Sequence, residues 1–176
     1  SSDLILLLNP QGKDVIDSKI IRYARAINDS MPEHVVDLVM KGLSYHGKSL
    51  NGSKIAIWGV AYKANISDTR LSPADPIISK LIQKGSEVSV FDPFSNESFG
   101  AIKTHDMWDA VTGRDGLVII TDHDIFRNAD LDIIKSKLAT PIIIDTRRTL
   151  DGKLANSKSF TYLAVGYTRA KNETTK

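Results

Sequence analysis

Cysteine is missing from all 176 positions, which excludes disulfide scaffolds, Cys-ligated zinc and every thiol nucleophile within this sequence. Neither staple is required, because folding at this length buries roughly 70% of the surface an unfolded chain exposes. An excess of one charge is missing as well: 23 Lys+Arg against 21 Asp+Glu leave a net +2, and the two signs are interleaved. No basic stripe alternates with aromatics, as it would in a nucleic-acid binder. The longest aliphatic run, Leu4 to Leu8, is far below the roughly 20 residues of a membrane span. The histidines, His34, His46, His105 and His123, are scattered, so no metal-ligand cluster is expected. No Walker A loop and no nucleophile elbow occur, and no catalytic residue is assigned within the chain. The start, Ser1-Ser2-Asp3, has neither Met nor a basic n-region. It reads as a segment of a longer protein.

What is present divides by periodicity. Over 16–43, Ile20, Ala24, Ile27, Met31, Val35 and Leu38 recur at helical spacing, the mark of an amphipathic helix. Ser30-Met31-Pro32-Glu33 matches a capping box with Pro in the first turn, which predicts two helices or one kinked helix. Such a segment can pack on another domain, on a second copy, or on its own domain. From Leu50 the pattern changes to short β-branched runs at 54–58, 87–91, 117–120, 141–144 and 160–165, with a possible edge strand at 101–104. Helical patterns at 73–84, 106–113 and 130–138 lie between them. Strand alternating with helix predicts a doubly wound, mainly parallel, Rossmann-like α/β sheet preceded by an N-terminal helical segment. The expected divisions are a helical segment at 1–48, the α/β domain at 49–170 and a polar tail at 171–176.

Ligands of such sheets bind beyond the carboxyl ends of the strands. With strand order 3-2-1-4-5-6, Lys63 after the first strand and Arg147 after the fifth face one mouth, two strand spacings or roughly 10 Å apart. A point charge and a bidentate fork together suit a diphosphate; alone, each reads more simply as a solvated or ion-paired cation. Only Gly59 follows the first strand, where a dinucleotide fingerprint needs three glycines, so no independent NAD site is expected there. Asp92-Pro93 reads as a turn, and His123 as a hydrogen-bond donor or simple loop residue. Asp68 and Arg70 either form a local ion pair or reach another domain.

In Leu50-Asn-Gly-Ser-Lys-Ile-Ala-Ile-Trp-Gly59-Val-Ala-Tyr62-Lys63, then Asp68-Thr-Arg70-Leu-Ser72-Pro73, Asp92-Pro93, Thr121-Asp122-His123 and Asp145-Thr146-Arg147, the chain resembles the carboxyl-terminal portion of the UDP-glucose/GDP-mannose dehydrogenases. Ala24-Arg25 through Pro32 resembles the end of that family's central helical segment. The resemblance implies NAD-dependent, two-step oxidation of a nucleotide sugar's primary alcohol to a carboxylate, in cytoplasmic synthesis of polysaccharide precursors. It implies an amino-terminal domain holding NAD, a homodimer through the N-terminal helices, and a UDP-sugar substrate gripped by the present domain. By motif, Tyr62, Lys63 and Arg147 would bind the substrate, and Arg70 would reach toward NAD. The family's nucleophilic cysteine, the aspartate shortly after it and its catalytic lysine match nothing here. The isolated chain is therefore expected to bind nucleotide diphosphates weakly without turnover. Thr121-Asp122-His123 and Met31-Pro32 look more like the members acting on UDP-N-acetylhexosamines such as UDP-N-acetylmannosamine. The alternative is a stand-alone nucleotide-binding regulatory module; a receiver-like domain is disfavoured because Val60 to Ala64 carries no acid.

Overall fold

The computed structural model describes residues 19–166. The Leu4 to Leu8 run and the polar tail at 171–176 lie outside the described residues. The chain divides into two compact units, Ser1–Met31 and Pro32–Lys176.

Helix α1, Lys19–Ser44, runs unbroken through Pro32. This corrects the expected capping box. The Ser30 hydroxyl donates to the Ile27 carbonyl at 2.7 Å instead of capping a new helix, and the Glu33 carboxylate pairs with Lys80. An interior proline costs about 3 kcal/mol. Burial of Val35, Val36, Val39 and Leu43 on the following turns offsets that cost.

The sheet is built from β1 (Lys54–Trp58), β2 (Glu87–Phe91), β3 (Ile102–Lys103), β4 (Gly116–Ile119), β5 (Ile142–Asp145) and β6 (Thr161–Ala164). Its order is β3-β2-β1-β4-β5-β6, parallel throughout, as the sequence predicts. Helices α2 (Ala74–Gln83), α3 (Met107–Val111), α4 (Asp124–Arg127), α5 (Leu131–Lys137) and α6 (Gly152–Ser157) are the other helices among the described residues. Strict alternation decides which face each strand residue covers. Ile55, Ile57, Val118, Ile142 and Ile144 join α1 and α2 in one core. Ala56, Trp58, Leu117, Ile119 and Ile143 join α3, α5 and α6 in the other. Trp58 anchors the second core: its indole donates to the Met107 carbonyl at 3.0 Å and stacks on Phe126 at 4.9 Å.

The register places the last residues of five strands in one row, since Trp58 pairs with Phe91 and Ile119, Ile119 with Asp145, and Asp145 with Ala164. Whatever follows each strand therefore emerges at the same height. Ser72-Pro73 opens α2 as its sequence suggests: the Ser72 hydroxyl accepts from the Ala74 amide at 3.1 Å, and Pro73 already has helical dihedrals.

Candidate functional site

The loop after β1 begins with a backbone reversal at Gly59, whose φ of +83° suits glycine alone. A Cβ there would lie 2.6 Å from Thr121 Cβ and 2.8 Å from the Thr121 carbonyl oxygen. The next two amides, Val60 and Ala61, donate to Asp92 Oδ2 at 2.7 and 3.0 Å. In a dinucleotide-binding sheet the amides of this turn approach a pyrophosphate; here an internal carboxylate takes them. The residues present do not fit a dinucleotide at this turn.

Asp92 is buried and fully engaged. Its Oδ1 accepts from the Phe94 and Ser95 amides at 2.8 and 3.0 Å, which is the turn predicted for Asp92-Pro93. Its Oδ2 also accepts from His123 Nε2 at 3.0 Å. Burial opposes ionisation of Asp92, but the bonds from His123, Phe94 and Val60 outweigh it and hold the carboxyl well below the ordinary carboxylate range. His123 Nδ1 accepts the Asn65 amide at 2.8 Å. Asn65, at φ +61°, also clasps Asp124: its side chain donates to the carboxylate at 2.7 Å and accepts the Asp124 amide at 3.2 Å.

Between these clamps stand Tyr62 and Lys63, both exposed, with the Lys63 ammonium 5.8 Å from the Tyr62 ring centroid. The loop closes where the Tyr62 amide donates to the Asp68 carbonyl at 2.7 Å. Arg70, 87% exposed, turns back on Asp68 through Nε and Nη2 at 3.0 and 2.8 Å. The local ion pair is thus present, and these bonds hold the Asp68 carboxyl at about 2.

The other half of the mouth follows β5. Buried Asp145 accepts from the Arg147 amide at 3.2 Å, the Leu150 amide at 2.9 Å and the Tyr162 hydroxyl at 3.0 Å, and Arg148 is turned to φ +57°. Arg147 itself leans across β4: its Nε donates to the Ile120 carbonyl at 3.4 Å, beside the Thr146 hydroxyl at 3.2 Å. The next residue, Thr121, packs under Gly59, and its hydroxyl donates to the Ala61 carbonyl at 2.6 Å. Arg147 and the Ala61 carbonyl that precedes Tyr62-Lys63 are thus bonded to adjacent residues, Ile120 and Thr121. Neither cation pairs with a carboxylate among the described residues, whereas Arg70 and Arg127 do.

Sequence reasoning did not find the acceptor role of Asp92, the clasp of Asn65 or the loop-holding role of Asp145. A usable signal existed in the strand order: Asp92 and His123 follow β2 and β4, the two strands that flank β1. That places them on either side of the Gly59 turn. Among the described residues, no cluster of His, Cys, Asp or Glu could hold a metal ion, and no helix is long and apolar enough to cross a membrane.

Residues 56–152 match the family model described as UDP-glucose/GDP-mannose dehydrogenase family, UDP binding domain. A UDP-N-acetyl-D-mannosamine dehydrogenase of Methanocaldococcus jannaschii is 39% identical over 153 residues, covering 85% of this chain and 34% of the relative. A UDP-glucose 6-dehydrogenase of Rickettsia bellii is 35% identical over 177 residues, covering 93% of this chain and 39% of the relative. The crystal structure of an NDP-N-acetyl-D-galactosaminuronic acid dehydrogenase from Methanosarcina mazei superposes with a TM-score of 0.79 at 29% identity, over 90% of this chain and 33% of that one. The chain spans about a third of the length of the curated relatives it matches.

Proposed function

We propose, since this chain belongs to the UDP-glucose/GDP-mannose dehydrogenase family, that its sheet mouth grips the diphosphate of a UDP-sugar, with Lys63 and Arg147 as the two cations and Tyr62 beside them. The observation that carries this reading is the Arg147 Nε bond to the Ile120 carbonyl. It brings the guanidinium to the strand end that also supports the Lys63 loop. Two cations without carboxylate partners, on rigidly held backbone, meet a dianion at little reorganisation cost.

Oxidation of the sugar would require NAD and a nucleophile. With the Val60 and Ala61 amides committed to Asp92, NAD would be held by a separate domain of the whole protein. Arg70 is the exposed residue of this chain that would reach toward it. The 176 residues contain no cysteine, so this chain alone grips substrate without turning it over. A homodimer through α1 is part of the same reading, supported by the exposure of Tyr23 and Ile27 on that helix.

UDP-N-acetylmannosamine is the sugar nucleotide we favour, supported by the names of the relatives at up to 39% identity. The Thr121-Asp122-His123 motif that suggested it supports the loop after β1 in this structure. Thr121 and His123 are buried and bonded to Ala61 and Asp92.

Calorimetric titration of the 176-residue chain with UDP tests the grip. Lys63→Ala and Arg147→Ala should each weaken UDP about tenfold, the value of one charge-assisted contact. Arg147→Lys should restore only part of the loss, because the fork is not replaced. Absence of UDP binding at millimolar concentration, or wild-type affinity in both alanine variants, overturns the assignment.

A further inference from the structure

We propose that His123 is a positioning residue for nucleotide binding, a neutral imidazole that fixes the loop carrying Tyr62 and Lys63 without touching the ligand. The inference rests on the diphosphate reading above and assigns the part of the fold that makes it work.

His123 has no exposed surface. Both ring nitrogens are used, and the partners dictate their roles. The Asn65 partner is a backbone amide, which can only donate, so Nδ1 must offer its lone pair. The ring proton then sits on Nε2, where it is donated to the Asp92 carboxylate. The Phe94 and Phe126 rings flank the imidazole at 5.1 and 5.5 Å and hold its plane.

The consequence for the loop is geometric. Its start is fixed by the Val60 and Ala61 amides on Asp92 Oδ2, the same oxygen that His123 engages. Its far side is fixed by the Asn65 amide on His123 Nδ1 and by the Asn65 side chain on Asp124. Only Tyr62, Lys63 and Ala64 lie between the two anchors, too short a span to wander. One imidazole thus bridges both anchors, so the lysine stem leaves the protein from a set point before any ligand arrives.

The test uses the whole 176-residue chain, UDP as probe, and two variants that each preserve one bond. In His123→Gln the longer amide donates to Asp92 but leaves the Asn65 amide without an acceptor. In His123→Asn the shorter amide accepts from Asn65 but leaves Asp92 without its ring donor. Each should weaken UDP about tenfold by titration calorimetry, the value of one buried bond to a charged or otherwise unsatisfied group. Lys63→Ala should cost far less in either background than in the wild type, because the cation has already lost its set point. Folded variants with wild-type affinity, or fully additive losses, overturn the proposal.

Ring nitrogen NMR of the wild-type chain provides an arm that needs no variant. A protonated Nε2 with a bare Nδ1 is expected, and a protonated Nδ1 overturns the clamp. Asn65→Gly, at an exposed position with positive φ, should weaken UDP while the ring signature stays, and unchanged affinity counts against the proposal. If the wild-type chain shows the expected ring state yet ignores UDP, the nucleotide reading has failed rather than the clamp geometry.

Discussion

Asp92 shows how much of a single side chain's work its neighbours in sequence leave unseen. Followed by proline, it signals a turn, and the Phe94 and Ser95 amides are indeed capped by it. Its second oxygen serves residues 31 and 32 positions upstream, a relation that only the sheet order creates. Asp92→Asn should cost about 3 kcal/mol in urea unfolding at neutral pH, since bonds to an ionised acceptor are replaced by weaker ones. Because the folded carboxyl titrates below its unfolded range, its contribution is complete above about pH 4 and is lost as pH falls below that. The gap between wild type and Asp92→Asn should therefore narrow on acidification. Gly59→Ala, with a Cβ 2.6 Å from Thr121 Cβ at positive φ, should cost about 3 kcal/mol in the same assay. Asp68 gives a further titration: its carboxyl should be read near 2 by NMR. Arg70→Ala should return it toward about 3.9.

The elements were legible where burial imposes a period. The predicted strands at 54–58, 87–91, 117–120, 141–144 and 160–165 agree with β1, β2, β4, β5 and β6 to within one residue at each end. Helices α4 and α6, of 4 and 6 residues, escaped because so short a stretch shows no full apolar repeat. At α1 local capping chemistry left two helices or one kinked helix open, and the structure has one continuous helix with Pro32 inside it, because packing overrides the local cap. Its contact with the sheet is close: a Cβ at Gly42 would lie 2.9 Å from Ile142 and 3.4 Å from Ile144. Gly42→Val should force this stretch of helix away from β5 and lower stability by about 2 kcal/mol, measured by thermal unfolding. The Asp145 loop was invisible for the same reason as the Asp92 bonds, because its partner Tyr162 lies on the neighbouring strand β6.

At the scale of the molecule, the doubly wound order followed from chain order and parallel crossovers alone, and with it the placing of Lys63 and Arg147 after the carboxyl ends of β1 and β5. The uncommitted state of those two cations did not, since ion pairing depends on which carboxylates the fold brings near. A grip built from exposed cations on a diphosphate is screened by salt. UDP affinity of the chain should therefore fall steeply between about 50 and 500 mM NaCl, with a shallower slope in Arg147→Ala. Mixing the chain with NAD and UDP-N-acetylmannosamine should give no absorbance of NADH, whereas any steady production would show that the chain holds its own nucleophile and cofactor site.

The carboxylate seated on the Val60 and Ala61 amides makes this turn self-sufficient. The amides of this turn are already neutralised from within, so its backbone is held whether or not a ligand is present. Crystals or spectra of the unliganded chain should consequently display the mouth in its receptive shape. Fragment and inhibitor screening could begin on the lone domain, with no saturating additive to order it.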